Sequence, residues 1–269
     1  MIDLHSHILF GLDDGAGELD ISIEMARIAV ADGITHMACT PHVQEGIYPN
    51  DTRTIRPVLE TLQQALLQHD IPLKLMCGAE AHLAWDLPEK LLSGEVPTVN
   101  DTRYLLLELP HLIVPQRLYE FVLRLKDAGF VPIIAHPERL AWIERRTDLL
   151  HEISVLGCPL QITADSLLGR FGAVAQEQAN RLIETGLHLL VASDAHSPRS
   201  RAPRMSSAMK LVSSRWGEMA ARRLFIEVPQ MILADELLPD VRKSDMIRRR
   251  HPVSGNRVDK FFTFLRAGH

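Results

Sequence analysis

Apolar segments alternate with amphipathic segments along most of the chain. Seven apolar segments have the length and character of buried strands, and they cover residues 1–7, 34–40, 73–79, 104–107, 131–135, 159–163 and 188–193. Apolar residues recur at helical spacing elsewhere, which predicts helices at residues 20–32, 51–70, 88–92, 115–129, 140–156, 176–185, 204–216, 218–225 and 228–236. The pattern therefore predicts an α/β protein built from repeated βα units.

Glycine residues mark the points where predicted helices end and strands begin. Gly33, Gly129, Gly157 and Gly186 each stop a helix, and the next strand starts within about two residues, as in the short αβ connections of α/β folds. Apolar strands that alternate with amphipathic helices favour a parallel barrel covered by helices. The count gives seven strands, one fewer than the common (β/α)8 barrel has.

Composition limits the classes of function. The chain has 269 residues, 46% of them hydrophobic, and a formal net charge of −5. This content suffices for one large domain or two ordinary ones. No apolar run reaches the ~18 residues of a membrane span and no leader segment precedes the first strand, so we expect a cytoplasmic protein without a transmembrane segment. The bulk charge gives no support for nucleic-acid binding.

Side chains that can bind metal follow six of the seven predicted strands. His5 and His7 share a face at the end of the first strand, although such a pair alone is a weak signal. The carboxyl ends of parallel barrel strands meet on one face, so we predict that further side chains complete a metal centre there. These are Asp14, His42, Glu80, Glu108, His136, Asp194 and His196.

This set of ligands exceeds the needs of one ion. Four carboxylates and five imidazoles are too many for one tetrahedral zinc, and the negative charge would be costly to bury unneutralised. We expect two or three divalent ions, and the mixed oxygen and nitrogen ligands suit Mn²⁺, Fe²⁺ or Zn²⁺. Closely spaced ions convert a bridging water to hydroxide and clamp the oxygens of a phosphoryl group, so hydrolysis is the expected chemistry.

Two arginines follow ligand motifs at short spacing. Arg139 comes three residues after His136, where Pro137 suits a first helical position, and Arg201 comes five residues after His196. Both guanidiniums could reach over the metal face and bind phosphate oxygens in a bidentate manner. An ordinary surface arginine is the alternative for each of them.

Cysteine is not expected to take part in the chemistry. Cys39, Cys77 and Cys158 are widely spaced and contain no CxxC pair, so we interpret them as small buried thiols. No Cys-x5-Arg phosphate loop is present. A cysteine nucleophile is therefore not predicted.

The motifs at residues 2–7 with 13–15, 78–80, 134–139 and 192–196 closely resemble those of the polymerase-and-histidinol-phosphatase (PHP) superfamily. Within it, the chain is most similar to the bacterial metal-dependent protein tyrosine phosphatases of capsule and exopolysaccharide operons. The resemblance runs from residue 1 to about residue 235. It implies a distorted seven-stranded TIM-like βα barrel that dephosphorylates the tyrosine-rich tail of a membrane-associated kinase.

The resemblance also implies roles for individual residues. One ion would be held by His5, His7, Glu80 and Asp194, a second by Glu80, Glu108 and His136, and a third by Asp14, His42 and His196. Glu80 would bridge two ions, Mn²⁺ is the favoured metal, and Arg139, Arg201 and His42 make up the predicted catalytic set. A metal-bridging hydroxide would attack phosphorus in line. An oligomer is compatible with the sequence.

The chain departs from the family pattern in two places and extends beyond it. The sixth strand ends in Thr163-Ala164-Asp165 in place of the usual asparagine and small hydroxyl residues, and Thr40 replaces a usual serine. The predicted barrel domain covers residues 1–238, and a basic tail covers residues 239–269. The tail is interpreted as a solvated, partly disordered end, with docking on an acidic phosphotyrosine tail or on the inner membrane surface as the alternative.

Three other functions are compatible with these motifs. A small-molecule phosphoesterase, such as a histidinol-phosphate phosphatase, would use the same ligands. A metal-dependent amidohydrolase also begins with His-x-His, but it usually has a lysine at the fourth strand end, where Glu108 stands. A non-catalytic metal-binding regulator would tolerate lost ligands, and none of the expected ligands is missing.

Overall fold

Seven parallel strand positions form a closed ring at the centre of the computed structural model, which describes residues 1–239. Within those residues the ring comprises nine strands, because two positions are each split in two: β1 (Ile2–Asp3), β2 (His36–Cys39), β3 (His42–Val43), β4 (Lys74–Cys77), β5 (Glu80–His82), β6 (Tyr104–Glu108), β7 (Val131–Ala135), β8 (Leu160–Thr163) and β9 (Leu189–Ala192). Neighbouring strands pair in parallel throughout. The predicted fold class, a distorted seven-stranded βα barrel, is confirmed.

The distortion comes from breaks in the second and third strand positions. β2 stops before Thr40 and Pro41, and β4 stops before Gly78 and Ala79. Pro41 has no N–H group to donate to a strand ladder. The two breaks lie side by side, because β2 pairs with β4 and β3 pairs with β5. They divide the wall into a sheet of order β1-β2-β4 and a sheet of order β3-β5-β6-β7-β8-β9.

Backbone hydrogen bonds between the first and last strand positions close the ring. The N–H of Asp194 donates to the carbonyl of His5 at 2.9 Å, and the N–H of His7 donates to the carbonyl of Ala195 at 2.8 Å. These bonds extend the pairing beyond β1 and β9 at their carboxyl ends. They therefore bring the first and last polar motifs of the chain to the same point.

Helices surround the ring and bury their apolar faces against it. Their bounds are α1 (Leu19–Ala31), α2 (Thr52–Gln68), α3 (Leu87–Leu92), α4 (Leu118–Asp127), α5 (Thr147–Val155), α6 (Ala164–Leu167), α7 (Gly172–Thr185), α8 (Ser206–Trp216), α9 (Glu218–Arg222) and α10 (Val228–Leu233), with a π-helical segment at Arg223–Glu227. Phe121 and Leu125 of α4, for example, are fully buried. Among residues 1–239, no helix combines the length and apolar character of a membrane span.

The helix predicted at residues 140–156 is shorter in the structure. Residues 143–145 form a 3₁₀ turn, and α5 begins only at Thr147. The N–H of Ala141 donates to the carbonyl of His111 at 3.0 Å, and the indole N–H of Trp142 donates to the carbonyl of Pro110 at 2.9 Å. These bonds tie the segment to the loop after β6 instead of a preceding helical turn. The prediction of one continuous helix was therefore wrong.

Asp32 links the end of α1 to the start of α8. Its carboxylate accepts hydrogen bonds from the N–H groups of Met205 (2.6 Å) and Ser206 (2.8 Å) and from the Ser206 hydroxyl (2.6 Å). Asp32→Ala would leave these donors without their partner, so we expect it to destabilise the fold by about 1–3 kcal/mol in urea unfolding. Asp127→Ala, at an exposed position of α4, is the control, and equal unfolding midpoints would show that the link contributes nothing.

The end of the described chain crosses the amino ends of the strands. The hydroxyl of Tyr104, the first residue of β6, donates to the carbonyl of Glu236 at 2.6 Å, and Arg103 forms an ion pair with Asp235 at 2.9 Å. This face lies opposite the strand ends that carry the polar motifs. The predicted basic tail, residues 239–269, lies outside the described residues except for Pro239, and its boundary stays a prediction.

Candidate active site

All nine side chains that the sequence predicts as metal ligands lie together at the carboxyl ends of the strands. They form overlapping groups whose ligand atoms lie within 4.8 Å of one another: His7, Asp14, His42 and His196; His5, His7 and Glu80; His5, His136 and Asp194; His42, Glu80 and Glu108; and Glu108, His111 and His136. Because the groups share members, they form one continuous cluster. Its centre is buried and its rim is open, since the Asp14 side chain is 50% exposed.

Two polar side chains orient the imidazoles of His5 and His7. Nδ1 of His5 donates to Oε1 of Gln161 at 2.9 Å, and Nδ1 of His7 donates to Oδ2 of Asp13 at 2.7 Å. A neutral imidazole whose single proton is on Nδ1 offers the Nε2 lone pair to a metal ion, and the two Nε2 atoms lie 3.1 Å apart. The two rings therefore point their Nε2 atoms at the same position. Metal-binding histidines are commonly held in this way, by a hydrogen bond from the ring nitrogen that does not bind the metal.

Glu80 stands at the centre of the cluster. Its Oε1 lies 2.9 Å from Nε2 of His136. Three imidazole nitrogens surround its Oε2, namely Nε2 of His5 at 3.2 Å, Nε2 of His7 at 3.3 Å and Nδ1 of His42 at 3.2 Å. Oε2 is nevertheless buried without a hydrogen-bond partner. A carboxylate oxygen that converges with imidazole nitrogens but bonds to none of them fits the shared coordination of a divalent cation.

Burial and electrostatic attraction act in opposite directions on the pKa values of the cluster. Burial would raise the pKa of Glu80, but the imidazoles of His5 and His136 hold that pKa well below its ordinary value. Burial would lower the pKa of His7, but the carboxylate of Asp13 helps to raise it well above its ordinary value. The carboxylates therefore stay ionised and attract cations, and a divalent ion would displace protons from the imidazoles.

The rim of the cluster is formed by Asp14, His42 and His196. Nε2 of His196 lies 3.4 Å and Nε2 of His42 lies 3.6 Å from Oδ1 of Asp14. The hydrogen bond to His196 lowers the pKa of Asp14. Tyr48 stacks on His42 with a ring separation of 5.2 Å. Gly15 allows the preceding acidic turn to approach His7, since a Cβ there would lie 2.1 Å from the His7 carbonyl oxygen.

Both predicted arginines contact the same carboxylate oxygen. Nη1 of Arg139 and Nη2 of Arg201 donate to Oδ2 of Asp194, the latter at 2.5 Å. Oδ1 of Asp194 faces the cluster instead, 3.3 Å from Nε2 of His5. The two guanidiniums also lie over the ring of Phe171, at 4.5 Å for Arg139 and 5.6 Å for Arg201. Asp194 and Phe171 therefore hold two cationic side chains beside the cluster.

Strained backbone accompanies this arrangement. His136 and Asp194 have φ angles of +30° and +52°, and Arg201 has a φ of +52°. A residue with a Cβ adopts this region at a cost of about 1–3 kcal/mol, and such residues concentrate at functional sites. His136 and Asp194 belong to the cluster, and Arg201 contacts Asp194.

Several residues of the site lie outside the sequence-based prediction. His111 joins Glu108 and His136 in a possible ligand group, and its Nε2 lies 3.4 Å from Oε1 of Glu108. Its spacing of three residues from Glu108 was an available signal. Gln161, within β8, and Phe171, just before α7, carry no motif of their own. Asp165, at the end of the sixth strand position, pairs with Arg170 at 2.9 Å and belongs to none of the ligand groups.

Asp13 allows a test of whether the hydrogen bond on Nδ1 of His7 contributes to metal binding. Besides His7, its carboxylate accepts hydrogen bonds from the N–H groups of Gly15 and His42, both at 2.9 Å. Asp13→Ala would free the His7 ring, so we expect metal affinity to fall about 10- to 100-fold in calorimetric titrations with Mn²⁺. Asp20→Ala, on the exposed start of α1, is the control. Unchanged affinity in Asp13→Ala would contradict the role given to this hydrogen bond.

The predicted burial of the three cysteines is confirmed. Burial raises the pKa of Cys77 to about 11 and that of Cys158 to about 12, and it raises the pKa of Cys39 well above its ordinary value. Since only the thiolate reacts readily, we expect iodoacetamide at pH 8 to leave all three unmodified in the folded protein, as judged by mass spectrometry. Urea-unfolded protein, in which all three react, is the control. Rapid alkylation of a cysteine in the folded state would refute this expectation.

Known proteins are similar to this chain in sequence and structure. A family model described as "Capsular polysaccharide synthesis, CpsB/CapC" matches residues 1–234. The chain is 35% identical over 264 residues to tyrosine-protein phosphatase YwqE of Bacillus subtilis (strain 168), covering 97% of this chain and all of the relative. It is 28% identical over 243 residues to tyrosine-protein phosphatase CpsB of Streptococcus pneumoniae, covering 88% of this chain and all of the relative.

A solved structure agrees with the sequence matches. It comes from a study of YwqE from Bacillus subtilis and CpsB from Streptococcus pneumoniae, described as unique metal-dependent tyrosine phosphatases. It superposes with a TM-score of 0.85 at 35% identity and covers 89% of this chain and 96% of that chain. The family predicted from the motifs is thereby confirmed: the chain belongs to the CpsB/CapC family of capsular polysaccharide synthesis proteins.

Proposed function

We propose that the chain is a metal-dependent protein tyrosine phosphatase whose substrate is the phosphotyrosine tail of a bacterial tyrosine kinase that controls capsule or exopolysaccharide synthesis. The observation that carries the proposal is the continuous cluster of nine ligand side chains with two arginines beside it. Membership of the CpsB/CapC family and the tyrosine-phosphatase names of its relatives support the same activity.

The residues would hold two or three divalent ions, with Mn²⁺ as the favoured metal. We assign His5, His7, Glu80 and Asp194 to one ion, Glu80, Glu108 and His136 to a second, and Asp14, His42 and His196 to a third. The convergence of imidazole nitrogens on Oε2 of Glu80 supports its assignment as the shared ligand. His111 is close enough to Glu108 and His136 to add a ligand to the second ion.

The chain's own residues would bind the phosphoryl group and orient it. Bound divalent ions supply an activated water at neutral pH and neutralise charge on phosphoryl oxygens. Arg139 and Arg201 would each donate hydrogen bonds to phosphoryl oxygens, and Asp194 positions both guanidiniums. His42, at the partly exposed rim, would complete the wall on the other side. A tyrosine leaving group, with a pKa near 10, needs little help from an acid.

Phosphate release from a substrate panel tests the proposal. We expect the protein, loaded with Mn²⁺, Fe²⁺ or Zn²⁺, to hydrolyse a phosphotyrosyl peptide in preference to histidinol phosphate, and we expect His136→Ala to be inactive. Equal activity of His136→Ala and the unaltered protein would refute the assignment of the site. Preference for histidinol phosphate would establish a small-molecule phosphoesterase. Binding of the phosphopeptide without hydrolysis under any of the three metals would establish a non-catalytic regulator.

A further inference from the structure

A cavity of about 310 Å³ opens beside Arg139, at the edge of the ligand cluster. Arg139 and His111 line its polar end, and His111 reaches the cluster through its 3.4 Å contact with Glu108. Glu138 and Glu144 also line it, and the remaining lining residues are apolar and come from two segments. Ala141 and Ile143 belong to the turn before α5, and Phe171 and Val174 lie at the start of α7.

We propose that this cavity, here named the aryl cavity, binds the phenyl ring of the phosphotyrosine substrate and thereby selects aryl phosphates over alkyl phosphates. The inference rests on the proposed function, because it assigns a substrate subsite to the same catalytic centre. In this assignment Phe171, Val174 and Ala141 determine the specificity for the ring.

The connection between phosphorus and the ring places the ring in the aryl cavity. A single ester oxygen joins the two in phosphotyrosine, so a phosphoryl group held by Arg139 brings the ring to the cavity's polar end. Phe171 lies under the guanidinium of Arg139 at 4.5 Å and also lines the cavity, so one aromatic side chain contacts both subsites.

The size and character of the aryl cavity suit a ring and its attached chain. Its volume lies at the lower end of the ~300–1000 Å³ that is typical of small-molecule sites. An aromatic ring favours apolar walls and the edge or face of another ring, which Phe171 offers. The side chain of phosphoserine has only one methylene before its oxygen, and it would leave the cavity unfilled.

Filling the aryl cavity from its exposed edge tests the inference. Val174 is 66% exposed, so Val174→Trp adds bulk without disturbing the core, and Ala141→Trp adds it from the opposite wall. Ala173→Trp is the matched control, since Ala173 is the exposed neighbour of Val174 and does not line the cavity. Calorimetry on Mn²⁺-loaded protein would compare the binding of phenylphosphonate with that of methylphosphonate.

We expect the unaltered protein and Ala173→Trp to bind phenylphosphonate at least about tenfold more tightly than methylphosphonate. Val174→Trp and Ala141→Trp are expected to reduce this preference below about threefold. An undiminished preference in both tryptophan variants, or none in the unaltered protein, would overturn the inference. So would weakened peptide binding with an undiminished phenylphosphonate preference, since the cavity would then hold a neighbouring peptide residue.

The proposed function can fail separately from this inference. If the unaltered protein shows the phenyl preference and the tryptophan variants lose it, but no phosphate is released from a phosphotyrosyl peptide, the proposed function is refuted and the assignment of the aryl cavity is supported. If it hydrolyses the peptide while the tryptophan variants keep the full preference, the proposed function stands and the aryl cavity fails.

Discussion

Replacing Glu80 with glutamine is expected to reduce kcat/KM for a phosphotyrosyl peptide by about a thousandfold, equivalent to about 4 kcal/mol of transition-state stabilisation. Glutamine keeps the size of the side chain but removes the charge on which three imidazole nitrogens converge. Since Glu80 is the shared ligand of two ions in the proposed assignment, we also expect the variant to retain fewer ions per chain by elemental analysis.

Glu152→Gln, on the exposed face of α5, provides the matched control for this substitution. It makes the same chemical change far from the cluster, so its activity and metal content should equal those of the unaltered protein. If Glu80→Gln kept its full metal content and lost less than about tenfold in kcat/KM, the role of Glu80 as a shared metal ligand in catalysis would be refuted.

Arg139→Ala is expected to lower kcat by about a hundred- to a thousandfold, the usual effect of removing one donor to transition-state charge. The metal content should stay unchanged, because Arg139 contacts Asp194 through Oδ2 while Oδ1 faces the cluster. Inhibition by inorganic phosphate should also weaken. Arg139→Lys keeps the charge but loses bidentate geometry, so it should recover only part of the activity.

Arg201→Ala serves as the comparison for Arg139→Ala. Arg201 contacts the same oxygen of Asp194, but its side chain is 28% exposed against 17% for Arg139. Water screens the more exposed charge better, so we expect a smaller loss than for Arg139→Ala. An Arg139→Ala variant with unchanged kcat and unchanged phosphate inhibition would show that the arginine serves only to neutralise Asp194.

The strand ends could be predicted from the sequence because two simple regularities hold together. Apolar strands alternate with amphipathic helices, and the carboxyl ends of parallel strands meet on one face. Widely separated residues such as His5, Glu80 and Asp194 were therefore predicted to meet, and the structure brings their ligand atoms within 4.8 Å in overlapping groups. The prediction needed only the end of each strand, which is marked by the change from apolar to polar residues.

The surroundings of the ligands could not be predicted in the same way. Gln161 is one polar residue within a buried strand, and nothing in its local sequence shows that its side chain accepts a hydrogen bond from His5. Phe171 precedes a helix and gains its role only when the barrel closes and brings Arg139 and Arg201 over its ring. Such roles depend on tertiary contacts between separate βα units.

The prediction of a helix in the segment before α5 was wrong for a related reason. Leu140 and Ile143 have the spacing of a helix face, and both are buried. Bonds from Ala141 and Trp142 to the loop after β6 hold the segment as a 3₁₀ turn, and that turn forms a wall of the aryl cavity. Here tertiary hydrogen bonds outweigh local helix propensity.

The most direct test of the central claim is the rate of phosphate release from a phosphotyrosyl peptide before and after metal removal. We predict that protein stripped by a chelator loses nearly all activity, and that titration with Mn²⁺ restores it as two or three ions bind per chain. Full activity in protein shown by elemental analysis to be free of divalent metal would contradict the account.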